Sequence, residues 1–251
     1  MTINPTADEK FALFDTDDRQ FLARIASKHP KIIENFDKYL GFPASLRFPM
    51  AKVEVMDIAR TGWVLKGIKD PESVYDHLHG LSSLVDNYLS RFLPHLNGED
   101  RETTIRMGRR MQGMAKVHDI PEAIASDFTH HDHTSGKISS ADKQRLELLA
   151  ARVIFEDKPE LRTLYQEFHE QKSAASQLLH DLDKIHAVVG CIFYEAKYPE
   201  KTNLWPEFYP YTKSKIKTDA GRNFLETIAR DKEAHIAMLR NPTAKDEVRS
   251  R

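Results

Sequence analysis

The chain has 251 residues, of which 30% are charged, and its 37 lysines and arginines nearly balance 38 aspartates and glutamates, for a net charge of -1. This balance excludes the broad basic surface of a typical nucleic-acid-binding protein and gives no reason to expect binding to an anionic membrane. The single cysteine cannot form an internal disulfide, and no run of about 18 apolar residues is present to span a bilayer. We therefore expect a cytoplasmic protein that binds neither nucleic acid nor membrane.

The first third of the chain predicts a series of short helices. Asp17 or Asp18 is suited to cap the first of them, because a side-chain carboxylate can accept hydrogen bonds from the open N–H groups of a helix start. Pro30 stands where a second helix begins, and that helix is expected to end at Gly41. The apolar spacing predicts a third helix over residues 50–59.

Two longer amphipathic helices follow in the middle of the chain. Residues 72–93 carry apolar side chains three and four positions apart, and His77 falls on the apolar face. A turn is predicted over residues 94–99, and a helix striped with three methionines runs from 101 to 117. Pro121 lacks an N–H group and clashes with the preceding turn, so this helix should end or kink near residue 118.

The remaining half of the chain also predicts helices. Residues 129–140 are polar and rich in histidine, and a solvated loop is favoured there over a second metal site at His130 to His133. The aromatic and proline-containing segment 205–211 is predicted to be a connecting loop. Helices are predicted over residues 141–155, 159–170, 173–198 and 218–239.

The absence of a long alternating apolar pattern predicts an all-α fold. We divide the chain into an N-terminal helical extension over residues 1–48, a main domain over 49–240 and a polar tail over 241–251.

One pair of neighbouring residues suggests a metal site. His118 is predicted to lie on the same helical stripe as the three methionines, and Asp119 comes directly after it, so their burial is costly unless a cation or a hydrogen-bond network compensates. Imidazole and carboxylate groups are suitable ligands for a divalent metal that promotes hydrolysis. His77 offers a further imidazole from another helix, and the spacing of a third helix leaves Asp181 and Asp183 both open as a further carboxylate.

Simpler interpretations exist for each of these residues. His77 alone is typical of a buried histidine whose nitrogens are satisfied by neighbours. Asp119 and Glu122 also fit the D-x-x-E pattern of a capping box, and the methionine stripe is typical of core packing. The joint occurrence favours a metal site, because a helix cap needs no buried histidine beside it.

Three segments resemble the signature blocks of the HD-domain metal-dependent phosphohydrolases, and most closely those of the 5′-deoxynucleotidase branch. They are RTGWVLKGIKDPESVYDH over residues 60–77, MAKVHDIPEAIASD over 114–127 and LDKI over 182–185. The similarity extends over residues 51–239. It implies that the main domain is a compact multi-helix HD-domain bundle and that the protein forms a homodimer.

The resemblance implies one divalent metal ion, chosen from Mn, Co, Fe, Ni, Zn and Mg. Matched position by position, its ligands are His77, His118, Asp119 and Asp183, and the match selects Asp183 over Asp181. The implied activity is the removal of phosphate from (deoxy)nucleoside 5′-monophosphates or a related small phosphate ester.

The resemblance also implies roles for residues around the metal. Glu122 and Asp127 match the catalytic positions, whereas Arg60, Trp63 and Glu72 match positions near the substrate. The planar fork of an arginine suits a phosphate group, and a tryptophan offers a flat apolar wall to the sugar. Close relatives often carry the arginine nearer to the tryptophan than it lies here.

Two other functions are open for the same fold. A triphosphohydrolase that acts on deoxynucleoside triphosphates needs more cations near the site, and Arg106, Arg109 and Arg110 form the nearest such cluster in the sequence. A non-catalytic nucleotide-binding module would keep the helices without turnover. Retention of the four metal positions together with Glu122 argues against that module.

Overall fold

Helices account for the regular structure of this chain. The computed structural model describes residues 13–92, 98–129, 132, 135–201 and 203–241. In these residues there are thirteen helices, and extended backbone pairs only at an isolated bridge between Ala59 and Ser73. None of these helices has the length and apolar character that a bilayer crossing requires. The prediction of an all-α fold is confirmed.

The chain divides into two units, each made of two stretches of sequence. The first unit comprises Met1–His79 and Lys116–Gln166, and the second comprises Gly80–Ala115 and Glu167–Arg251. The first contains α1 Thr16–Ala26, α2 Pro30–Leu40, α3 Ala44–Glu54, α4 Thr61–Leu65, α7 Glu122–Ala125 and α8 Ser140–Ile154. The second contains α6 Gly98–Ala115, α10 Ala174–Lys197, α11 Leu204–Lys215, α12 Asp219–Arg230 and α13 Lys232–Arg240. Helices α5 Val74–Phe92 and α9 Pro159–Glu170 contribute residues to both units.

The core of the first unit joins the N-terminal helices to the segment that contains the predicted catalytic residues. Phe36 of α2 is fully buried and packs edge-on against Phe14, with 5.8 Å between the ring centroids. The side chain of Asn35 donates to the carbonyl of Ile124 in α7 at 3.2 Å. Residues on both sides of the predicted boundary at residue 48 therefore share one apolar cluster, and the boundary itself stays a prediction.

The cap of α1 differs from the prediction. The N-cap is Asp15, whose carboxylate accepts from the N–H of Asp18 at 2.8 Å. Asp18 is buried and accepts instead from Arg145 at 3.1 Å and from Arg152 at 2.7 Å, both on α8. Burial alone would raise the pKa of Asp18, but the hydrogen bonds and charges of these two arginines outweigh it and lower that pKa. Asp18 thus fastens the first helix to α8 rather than capping it.

We expect Asp18→Asn to lower the free energy of unfolding at pH 7 by about 1–3 kcal/mol, because two arginines lose a charged partner. The pKa of an aspartate in the unfolded chain is about 3.9, and a lower pKa in the folded protein stabilises the fold at pH values above that number. This stabilisation is lost as the pH falls through the pKa of Asp18 in the folded protein. Urea unfolding at pH 7 and pH 3 should therefore show a smaller difference from wild type at the lower pH. Asp17→Asn, at an exposed neighbour in the same turn, should leave the free energy of unfolding unchanged at both pH values. Equal losses of stability in the two variants would contradict the role of Asp18 as the partner of the two arginines.

The predicted bounds of the third helix were wrong. The chain re-enters a helix directly after Pro43, so that α3 runs from Ala44 to Glu54 instead of over residues 50–59. Proline fixes φ near its helical value and needs no hydrogen bond to its nitrogen, which suits the position just before a helix. The helix ends early enough for the following residues to pair with the start of α5.

Two predictions in the second unit also need correction. The segment over residues 205–211 is not a loop but lies within α11, where Trp205 and Tyr209, one helical turn apart, stack with 4.8 Å between ring centroids. The predicted helix over 218–239 is broken at Asp231 into α12 and α13. At the two ends of α13, Lys232 lies 3.3 Å from the carboxylate of Glu195 on α10, and Arg240 donates to the carbonyl of that same residue. The break directs α13 onto α10.

Several predicted features fall on residues outside the described ranges. These are most of the turn over 94–99, three histidines of the loop at His130, His131 and His133, and the tail beyond residue 241. The loop residue Asp132 is described and buried, and it accepts from the N–H of Thr129 at 2.7 Å and from Lys137 at 2.9 Å. Its carboxylate is used to hold its own loop together.

Candidate metal centre

The start of α5 places His77 next to an arginine. Ser73 and Asp76 form a reciprocal cap, in which the Ser73 hydroxyl accepts from the N–H of Asp76 at 3.0 Å and Asp76 accepts from the N–H of Ser73 at 2.9 Å. The backbone N–H of Arg60 donates to the carbonyl of Glu72 at 2.9 Å. The segment with Arg60 therefore lies alongside the first turn of α5, where the His77 side chain is 3% exposed.

The vicinal His-Asp pair lies just after a helix rather than on it. Helix α6 ends at Ala115, two residues earlier than predicted, and residues 116–121 form turns. The expected break before Pro121 is confirmed. Pro121 is the N-cap of α7 and no side chain caps that helix, while the N–H of Glu122 donates to the backbone carbonyl of Asp119 at 3.0 Å. The capping-box interpretation is wrong, because the Asp119 side chain does not cap α7.

One carboxylate oxygen is the meeting point of the site. Asp119 Oδ2 lies 2.9 Å from Arg60 Nη1, 3.2 Å from His118 Nε2 and 3.6 Å from His77 Nε2. The two imidazole rings have their centroids 5.4 Å apart and are both buried. Residues that are far apart in the sequence therefore direct two imidazole nitrogens and a guanidinium at a single oxygen.

The charges around this oxygen shift two carboxyl groups in opposite directions. Burial alone would raise the pKa of Asp119, but the charge and hydrogen bond of His118 and the charge of Arg60 hold it well below its usual range. Burial and the charges of Asp119 and Asp127 raise the pKa of Glu122 well above its usual range. Among the described residues, Glu122 Oε2 is buried without a hydrogen-bond partner, and its nearest cation is Arg60 Nη1 at 3.6 Å. Such a carboxyl group suits proton transfer near neutral pH.

Asp127 reaches the site through an unusual backbone turn. Ser126 has φ of 70° and ψ of 155°, a region that non-glycine residues adopt at some cost. The N–H of Thr61 donates to Asp127 Oδ2 at 2.6 Å, and its hydroxyl donates to the Asp127 carbonyl at 2.8 Å. Asp127 Oδ1 lies 3.6 Å from Arg60 Nη1. Sequence reasoning missed Thr61 and Ser126, because their roles depend on local backbone geometry.

Trp63 and Glu72 contact each other beside His77. The indole N–H of Trp63 donates to Glu72 Oε1 at 3.0 Å, and that same oxygen lies 4.0 Å from His77 Nδ1. The Trp63 residue is only 4% exposed. Glu72 therefore connects the predicted apolar wall to a predicted metal ligand, and the roles of both residues toward substrate stay predictions.

Sequence reasoning also missed an ion pair on α8. Lys143 Nζ donates to the carbonyl of Phe128 at 2.8 Å and lies 3.3 Å from Glu147 Oε1. A lysine and a glutamate four residues apart on a helix are common on protein surfaces, so the sequence contained no signal that this pair is half-buried and reaches the backbone after Asp127.

The structure distinguishes the two aspartates of α10. Asp181 is 1% exposed and accepts from the N–H of Lys217 at 2.9 Å, the N–H of Thr218 at 2.8 Å and the Thr218 hydroxyl at 2.6 Å. A β-carbon at Gly221 would lie 2.6 Å from the same carboxylate, so a residue without a side chain suits this close approach. Asp181 therefore secures the start of α12. Asp183 lies half-buried on α10 of the second unit, and its place as a metal ligand stays a prediction.

The residues of the first unit fit a divalent metal. His77 and His118 each offer a ring nitrogen, and these atoms lie within 4.8 Å of each other. Asp119 adds a carboxylate oxygen near both, and the nearby positive charges of His118 and Arg60 outweigh the effect of burial on its pKa and keep that carboxyl group ionised. Two imidazoles and a carboxylate form a donor set that Mn, Co, Fe, Ni and Zn all accept.

The fold and this donor set agree with a known family. A family model of the HD domain matches residues 54–222, which is more than half of the chain. The chain therefore belongs to the HD-domain family, as the sequence motifs predicted.

Two relatives and one solved structure show which proteins this chain is similar to. The chain is 26% identical over 197 residues to 5′-deoxynucleotidase HDDC2 of Danio rerio, a match that covers 76% of this chain and 90% of the relative. It is 34% identical over 143 residues to the Dictyostelium discoideum protein of the same name, covering 55% of this chain and 70% of the relative. A crystal structure of a protein from Pyrococcus horikoshii OT3 has the same fold, with a TM-score of 0.58, 24% identity and coverage of 74% of this chain and 98% of that chain.

Proposed function

We propose that this HD-domain protein is a metal-dependent phosphohydrolase that removes phosphate from deoxynucleoside 5′-monophosphates or a related small phosphate ester. The observation that carries the proposal is the convergence of His77, His118 and Arg60 on Asp119 Oδ2. Two relatives named 5′-deoxynucleotidase support the choice of substrate class.

His77, His118 and Asp119 would hold one divalent ion, and the family resemblance adds Asp183 as the fourth ligand. When bound, such an ion lowers the pKa of a coordinated water and neutralises charge on a phosphate oxygen. Its identity is open among Mn, Co, Fe, Ni, Zn and Mg.

The side chains around the metal ligands have separate roles in substrate binding and proton transfer. Arg60 binds the phosphate oxygens, and its partly exposed guanidinium lies within 3.6 Å of each of three carboxylates. Glu122 takes a proton from the water that attacks phosphorus. Asp127 supplies a proton to the 5′ oxygen as the bond from that oxygen to phosphorus breaks, which leaves a nucleoside and inorganic phosphate. Trp63 offers an apolar wall to the sugar.

A phosphate-release screen tests the proposal. The full chain is incubated with deoxynucleoside monophosphates, ribonucleoside monophosphates and deoxynucleoside triphosphates, each with Mn²⁺, Co²⁺, Ni²⁺, Zn²⁺ or Mg²⁺. Release of inorganic phosphate from deoxynucleoside monophosphates is the expected result. Tripolyphosphate from the triphosphates would instead indicate the triphosphohydrolase, and nucleotide binding without release would indicate a regulatory module.

The cation cluster required by the triphosphohydrolase receives no support from the second unit. Arg110 forms an ion pair with Glu167, and Arg106 lies 3.7 Å from Glu102 on the surface of the same helix. We keep the monophosphate as substrate for this reason. Homodimer formation and a cytoplasmic location stay predictions.

We expect Arg60→Lys to raise KM for the nucleotide about 10-fold or more, because a lysine cannot make the paired contacts of a guanidinium with phosphate oxygens. Steady-state kinetics over a range of nucleotide concentrations measure this change. Lys66→Arg is the matched control, because it keeps the charge of a residue at the other end of α4, the short helix that begins directly after Arg60. An unchanged KM in Arg60→Lys would remove Arg60 from the phosphate site.

A further inference from the structure

The position of Lys143 on α8 is not explained by helix stability. Ser139 caps this helix by accepting from the N–H of Asp142 at 3.0 Å, and Lys143 follows immediately. A cation near the N-terminus of a helix opposes the helix dipole. A lysine placed four residues before a glutamate, here Glu147, is also the less favourable order for such a pair. Some other contact must account for a lysine at this position.

The ammonium group of Lys143 is directed at the segment that contains the catalytic residues. It donates to the carbonyl of Phe128 at 2.8 Å, directly after Asp127 in the chain. The side chains of Lys143 and Glu147 are only 22% and 13% exposed. Burial alone would lower the pKa of Lys143, but the charges of Glu147, Glu122, Asp119 and Asp127 raise it. Lys143 therefore stays protonated under the combined negative charge of these carboxylates.

Two anchors hold consecutive carbonyl groups of this segment. The hydroxyl of Thr61 donates to the carbonyl of Asp127, and Lys143 donates to the carbonyl of Phe128. Because Ser126 just before them has a strained φ of 70°, the segment needs contacts that hold it in place. Lys143 also offers positive charge to a cluster of carboxylates that must accept a phosphate dianion.

We propose that Lys143 is a positioning residue that holds the backbone after Asp127 and offsets the negative charge of Asp119 and Glu122. This role rests on the proposed function, since it presumes that these carboxylates serve phosphate hydrolysis. Glu147 keeps the ammonium group in place through its ion pair.

The test compares Lys143→Met, Lys143→Arg and the control Lys158→Met, at a half-exposed lysine paired with Asp157, by phosphate release, Mn²⁺ titration calorimetry and thermal unfolding. We expect Lys143→Met to lower kcat about 10- to 100-fold, because a misplaced catalytic group loses much of its effect. Mn²⁺ should bind it several-fold more tightly than wild type, because a repelling charge has been removed. Lys143→Arg should restore most of kcat and the wild-type Mn²⁺ affinity, and Lys158→Met should match wild type.

The outcomes distinguish failure of the proposed function from failure of the role proposed for Lys143. If wild type releases no phosphate from any nucleotide, the proposed function fails, and the Mn²⁺ titration alone then tests the role of Lys143. An unchanged Mn²⁺ affinity in Lys143→Met overturns the inference in either case. A kcat within twofold of wild type, or a loss that merely follows the unfolded fraction, overturns it as well.

Discussion

Asp119→Asn is expected to weaken Mn²⁺ binding by about 100-fold or more and to lower kcat/KM by about 1,000-fold. Asp119 Oδ2 is the atom on which His77, His118 and Arg60 converge. An amide of the same shape has neither the negative charge that a divalent ion requires nor the charge that pairs with Arg60. Titration calorimetry with Mn²⁺ and phosphate release on the same preparations measure both losses.

Asp57→Asn is the control for this substitution, because Asp57 is an exposed residue of the same unit. It should bind Mn²⁺ and release phosphate as wild type does. The same titration of Asp183→Asn tests the ligand that the family resemblance adds. Wild-type Mn²⁺ affinity in a folded Asp119→Asn protein would show that the metal, if any, binds elsewhere.

Glu122→Gln should separate catalysis from metal binding. We expect kcat to fall about 100- to 10,000-fold, which is the range for removing a general acid or base, while Mn²⁺ affinity stays within a few-fold of wild type. Burial together with the charges of Asp119 and Asp127 raises the pKa of Glu122, so a neutral amide is well tolerated at this position. The thermal midpoint should therefore be equal to or above that of wild type.

A rate measured at saturating nucleotide, together with the Mn²⁺ titration, distinguishes these effects. Glu160→Gln, at an exposed position in the first turn of α9, provides the matched control and should leave kcat unchanged. Unchanged kcat in Glu122→Gln would mean that another group accepts the proton, whereas parallel losses of kcat and Mn²⁺ affinity would make Glu122 a ligand instead.

Sequence patterns predicted the helices best where apolar periodicity was long and uninterrupted. The burial of His77 followed from such a pattern in α5, and Pro121 correctly marked the break after α6. The same patterns failed in α11, where a proline-containing aromatic segment forms a helix. Local propensity favoured a loop there, but stacking of Trp205 on Tyr209 stabilises the helical turn.

The alternatives that spacing left open were decided by contacts between distant segments. Asp181 and Asp183 lie two residues apart at the edges of one apolar stripe, and only the hydrogen bonds from Lys217 and Thr218 show that Asp181 is structural. The capping box at Asp119 was likewise reasonable in sequence. It fails because the carboxylate turns toward Arg60, which is 59 positions away in the chain.

The sequence by itself determined the helical class, the family and the residue types of the candidate metal centre, because periodicity and short motifs depend on neighbouring positions. Only the tertiary structure showed that Thr61 and Lys143 hold the segment of Asp127 and that Arg60 faces three carboxylates. These contacts join residues from separate helices and loops, and their energies depend on burial and on distances of a few ångströms. No periodic pattern records such quantities, so they emerge only when the chain folds.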